Sequence, residues 1–230
     1  MEKENQIIIN PYNSTERFIM VLLTIITHIF MLPGLFLMKY QKRSFVYYLY
    51  IFKLICSFFY HICENLNIII YISYIKWNEL DNIATISYLN SLLISLTKFH
   101  FDKIEQKMMN YFSFFLLLVF QKRGPFIFMN SFIPICIIIV IIIYKLIKYG
   151  IPKYNKDNLV KGLFLFVIGI ILFFLSLNSQ KDYMRIYHYL SHILNGFSFF
   201  YLWQIQSKNT MSLKDIYMYY IRKNEIKIFN

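Results

Sequence analysis

Two histidines stand four residues apart in His188-Tyr189-Leu190-Ser191-His192. On a helix that spacing puts both imidazoles on one face, where they can converge on a single metal ion. A third histidine ends the run Ser57-Phe58-Phe59-Tyr60-His61. Ser57 and His61 share a helical face by the same spacing, and Lys53 lies one turn further back. An acid, Asp81, closes Trp77-Asn78-Glu79-Leu80-Asp81. All of these lie in or beside strongly apolar segments. A charged side chain at the centre of a bilayer costs roughly 2.5–3.5 kcal/mol, so each demands a reason. Taken singly, ordinary reasons suffice. A membrane histidine is more often a hydrogen-bonded packing residue than a ligand, Asp81 can cap a helix at the membrane boundary, and Ser57 can bond its own backbone.

The elements that must position these residues follow from composition. Of 230 residues, 58% are hydrophobic and only 16% charged, with mean hydropathy +0.48. A soluble domain is usually about a quarter charged. The chemistry therefore has to be carried by an all-α integral membrane protein. The formal net charge of +12 would suggest nucleic acid on a soluble chain. Here it reads as loop charge facing the cytoplasm, and no nucleic-acid partner is expected. Cys56, Cys63 and Cys136 form no CxxC and no cysteine–histidine cluster, and they read as small hydrophobes.

Seven apolar stretches are long enough, or nearly so, to cross about 30 Å of hydrocarbon. They are Phe18–Met38, Ser44–Cys63, Leu80–Lys98, Met108–Phe120, Phe126–Tyr144, Val160–Leu177 and Tyr183–Gln204. The first is a retained span, not a signal peptide, because its basic cluster (Lys39, Lys42, Arg43) follows it and no cleavage site is evident. The fourth is the shortest. Residues 64–79 read as a loop or interfacial segment. The organisation is then a short outer N-terminus (1–17), a seven-transmembrane helix bundle (18–204) and a basic, aromatic-rich tail (205–230) that suits a membrane-surface helix. With the N-terminus outside, inner loops and tail carry sixteen Lys and Arg against seven on the outer side, which predicts N-outside, C-inside. Asn13-Ser14-Thr15 is a glycosylation sequon on that outer side.

Topology makes the set more specific than its members. His61 ends span two, Asp81 opens span three, and His188 and His192 begin span seven. Four crossings separate Asp81 from His188, an even number, so all three groups fall on the same, outer, side of the membrane. Three histidines and a water are the pattern of a catalytic zinc site, in which the metal lowers the water's pKa toward about 7 and polarises a carbonyl. Asp81 can hold or deprotonate that water, and Ser57 can orient a ligand or an oxyanion. His28 and His100 have no helical partner; His28 reads as packing or as a hydrogen-bond donor within span one, His100 as a loop residue.

These residues carry a resemblance. Ser57 and His61, an Asp opening the next span and His188-x-x-x-His192 on the last look like the pattern of the seven-transmembrane zinc hydrolase-like superfamily. That superfamily includes alkaline ceramidases, adiponectin receptors and GPI-lipid remodelling proteins. SFFYHICENLN, WNELDNIATISYLNSLLISL and DYMRIYHYLSHILNGFSFFYLW resemble most closely the myomaker-like group. The resemblance covers about residues 18–204; spans four to six match in hydrophobicity alone. Ile62-Cys63-Glu64-Asn65 replaces a short glycine-containing turn of several relatives, and the large extracellular domain of bigger relatives is absent. The resemblance implies zinc on His61, His188 and His192, with Asp81 and Ser57 close by.

The expected function is zinc-dependent hydrolysis of a lipid amide or ester within the bilayer. The alternative is a non-enzymatic, myomaker-like fusion or remodelling protein with a structural zinc. A seven-helix receptor or haem bound through the histidine pair is less well supported. Membrane lipids are the expected partners, in an endomembrane or the plasma membrane. The oligomeric state is open, a homodimer among the alternatives.

Overall fold

The computed structural model describes residues 12–97, 103–124, 128–178, 182–205 and 211–228. These residues fold into eight α-helices with one 3-10 turn before the seventh: α1 (Ser14–Tyr40), α2 (Ser44–Leu66), α3 (Tyr74–Leu96), α4 (Lys103–Gln121), α5 (Phe128–Tyr149), α6 (Lys156–Ser176), α7 (Ile186–Leu202) and α8 (Leu213–Ile228). Among the described residues the regular structure is helical, apart from an isolated bridge between Ile70 and Ile72. Among the described residues four helices are long and apolar enough to cross a membrane: α1, α2, α5 and α6. His100 lies outside the described residues, as do the ends of the expected third and fifth stretches.

Local chemistry sets the helix ends. Asn13 caps α1, accepting the Glu16 N–H at 2.9 Å while the Glu16 carboxylate accepts the Asn13 N–H at 2.8 Å. The sequon's asparagine is thus the N-cap of the first helix. α2 stops at Asn67, in the left-handed conformation (φ 54°) that asparagine tolerates at a helix end. Asn155 caps α6 by accepting the Asn158 N–H at 3.1 Å. Before α7 the chain turns through two successive left-handed residues, Met184 (φ 64°) and Arg185 (φ 57°).

The helices form a chain of neighbours. α1 packs on α2 and α7, α2 on α3, α3 on both α4 and α5, α4 on α5, and α6 on α7. Side chains lock several of these contacts: Asn90 donates to Ser113 Oγ (2.8 Å), Gln121 to Ser131 Oγ (3.0 Å), and Ser198 to the Gly162 carbonyl (2.8 Å). Asn78, Ser87, Asn90, Ser91 and Ser95 on α3 are buried, whereas large apolar side chains of α1, α5 and α6 are exposed. That inversion is what a bundle in lipid needs, where polar groups must be satisfied inside the protein. It also explains why α3 and α4 read as less apolar: several of their polar residues, Asn90 and Ser113 among them, are buried between helices.

The structure moves several boundaries. α3 begins at Tyr74, so much of the stretch expected as a loop is helix, and Asp81 sits about two turns inside it rather than at its start. α4 has nineteen residues, about 28 Å of helix, where the apolar run alone has thirteen. The main core cluster, with Tyr50, Tyr88, Phe199, Phe200 and Trp203, lies toward the start of α2 and the end of α7. The histidines occupy the other ends of those two antiparallel helices. α8 docks back through buried Ile216 and a Tyr40–Tyr219 edge contact with ring centroids 5.1 Å apart.

Candidate metal centre

α2 supplies a buried polar stripe of Lys53, Ser57 and His61, respectively 3%, 0% and 1% exposed. α7 supplies His188 and His192 one turn apart. α1 packs antiparallel to α2 and parallel to α7, and it brings the two sets together. The three Nε2 atoms form a triangle: 3.2 Å from His61 to His192, 3.3 Å from His61 to His188 and 3.1 Å between His188 and His192. Among the described residues these three can hold a metal ion.

The donor chemistry fits an ion. Each neutral imidazole offers at any one nitrogen either a proton or one in-plane lone pair. Three nitrogens in mutual contact therefore cannot all be paired by hydrogen bonds among themselves, whereas a cation between them satisfies three lone pairs at once. Zn–N bonds of about 2.0–2.1 Å in tetrahedral geometry require nitrogens about 3.3–3.4 Å apart. The observed edges come within about 0.3 Å of that. The triangle is close to the face a tetrahedral ion would use.

Around the triangle lie other polar groups. His188 Nδ1 is 3.4 Å from Ser176 Oγ, and His61 Nδ1 is 3.9 Å from Glu64 Oε2. Glu64 is gripped by both guanidinium nitrogens of Arg185, at 2.8 Å for the Nη2–Oε1 bond, and accepts from Tyr60 Oη at 3.1 Å. Asp182 is buried and its two carboxylate oxygens accept the N–H groups of Tyr187 (2.9 Å) and His188 (3.2 Å). It thereby satisfies orphan donors at the α7 N-terminus beside the ligand pair.

The sequence-derived candidates fare differently. His61, His188 and His192 come together. Ser57 lies one turn from His61 on the same face, its buried Oγ without a hydrogen-bond partner. Asp81 stands outside the cluster of ligand atoms, and its Oδ1 accepts from Thr85 Oγ1 at 3.3 Å. His28 donates Nδ1–H to the Thr24 carbonyl (2.7 Å), and its ring centroid lies 6.3 Å from that of His61 and 6.1 Å from that of His192.

Sequence reasoning missed Glu64, Arg185 and Asp182 as parts of the site. Glu64 carried a signal, standing three residues after a candidate ligand; Arg185 and Asp182 became visible only once the turn before α7 was folded.

Residues 16–193 match the family described as protein of unknown function (DUF3522), and the chain belongs to that family. No curated protein matches the chain.

Proposed function

We propose that this member of the family is a seven-span membrane protein, N-outside and C-inside, that hydrolyses a lipid amide or ester at a zinc site on His61, His188 and His192. The observation that carries the reading is the Nε2 triangle with edges of 3.1–3.3 Å. Support for seven spans comes from the lengths of α3 and α4, about 34 and 28 Å, and from their inward-facing polar residues. A triangle joining the end of α2 to the start of α7 also requires an even number of crossings between them, and four satisfies it.

Bound there, zinc would supply a Lewis acid that polarises a carbonyl and acidifies water. The chain's own residues do the rest. The three imidazoles hold their Nε2 lone pairs inward in a site shielded by α1, α2 and α7. Ser57 Oγ, unpaired and one turn below His61, can donate its proton to an oxygen of the bound lipid. Asp81 Oδ1 is engaged by Thr85, which leaves Oδ2 to take a proton. The exposed apolar faces of α5 and α6 suit contact with acyl chains.

A second reading, a fusion or membrane-remodelling protein with a structural zinc, draws support from one observation: Asp81 stands apart from the three imidazoles. One experiment separates the two. Purified protein with added zinc is placed in vesicles containing amide-linked and ester-linked lipids, and the products are read by mass spectrometry. Cleavage by the wild type and none by His61→Ala supports the hydrolase. Bound zinc with an unchanged lipid profile in both would sink it and leave the structural role.

A further inference from the structure

His61 is held by its neighbours less completely than its burial demands. Its Nδ1 is buried with no hydrogen-bond partner, on the ring edge opposite the triangle. Glu64 Oε2 stands 3.9 Å away, one turn on along α2. The other oxygen of that carboxylate, Oε1, is occupied twice, by Tyr60 Oη at 3.1 Å and Arg185 Nη2 at 2.8 Å. Oε2 receives Arg185 Nη1 alone. A carboxylate oxygen has room for two donors, so Oε2 keeps an acceptor site for the Nδ1 proton of His61.

We propose that Glu64, clamped by Arg185, is the positioning residue that keeps the proton of His61 on Nδ1 and leaves Nε2 bare for the metal. The proposal rests on the triangle being a metal site. An imidazole binds a metal through an unprotonated nitrogen, and a partner on the opposite nitrogen fixes both tautomer and ring orientation. Arg185 sits three residues before His188, at the left-handed turn that starts α7. The pair therefore sets His61, on α2, relative to the ligands of α7. Non-glycine residues rarely adopt two left-handed conformations in succession, and such turns cluster at functional sites.

The test is zinc affinity, measured by competition with a chelator on full-length protein in nanodiscs, with thermal stability recorded in parallel. Glu64→Ala is expected to weaken zinc binding by about 10–100-fold, the usual cost of losing an outer partner of a ligating histidine. Glu64→Gln, which keeps an acceptor oxygen and nearly the same shape, should fall between, and it serves if the alanine variant does not fold. The exchange Glu64→Arg with Arg185→Glu separates positioning from bracing. It rebuilds the ion pair but faces His61 Nδ1 with a donor, so it should recover stability without recovering affinity. Recovery of both would overturn the proposal, as would wild-type affinity in Glu64→Ala. His192→Ala distinguishes the two levels. If it abolishes binding while Glu64→Ala does not, the metal site stands and the positioning role falls. If the wild type binds no zinc, the site itself falls and the proposal with it.

Discussion

Zinc should stabilise this protein by an amount that depends on all three imidazoles. The Nε2 edges of 3.1, 3.2 and 3.3 Å average about 3.2 Å. A tetrahedral zinc face needs about 3.35 Å, so each nitrogen would move outward by only about 0.1 Å on loading. With so little rearrangement, binding to the native state is expressed almost directly as stability. At a free zinc concentration one hundred times Kd the gain is about 2.7 kcal/mol. For a chain of this size each kcal/mol raises Tm by about 2–4 °C, which predicts an increase of about 5–11 °C over the chelator-treated protein. Unfolding in nanodiscs can be followed by the fluorescence of Trp77 and Trp203, and X-ray absorption should find nitrogen neighbours at about 2.0–2.1 Å. His192→Ala removes two of the three edges and should abolish the increase. An equal rise in wild type and variant, or none in the wild type, would falsify the assignment of these residues as the site.

Other expectations concern the scaffold. Asp182→Ala unpairs the N–H groups of Tyr187 and His188 and should destabilise α7 by about 1 kcal/mol, visible as faster amide exchange at those two positions. Gly162→Ala would place a Cβ 2.6 Å from Leu202 Cδ2 and 3.2 Å from the Leu202 backbone nitrogen. It should cost about 1–3 kcal/mol by forcing α6 from α7, and an unchanged Tm would contradict the close approach. Hydrogen bonds from Ser212 hold the exposed Asp215 carboxyl below its usual range. A depressed native pKa means that this cap contributes fully above the ordinary Asp value of about 3.9 and is lost as pH falls through the lower native one. Amide exchange at the start of α8 should therefore accelerate only in that acid window, and Asp215→Asn should remove the dependence.

Much of the architecture was legible because helices are local. Apolar runs and the aromatic tail mark helices in the right order, and His188 and His192 share a face through spacing alone. Where polar residues interrupt the apolar pattern, boundaries were harder to read. Trp77, Asn78 and Glu79 looked like a loop, yet they lie in the first turns of a helix that begins at Tyr74, in which Asn78 and Ser87 are buried because α2, α4 and α5 take the place of solvent.

The sequence by itself determined helicity, the membrane-like composition and the pairing of two imidazoles, since each depends on neighbours within a few turns. Only the tertiary structure decided that His61 meets that pair across 127 and 131 residues of chain, that Asp81 stays outside the cluster, and that Glu64 and Arg185 join the outer rim. Those relations arise from how helices close against one another, and helical periodicity carries no information about which faces meet.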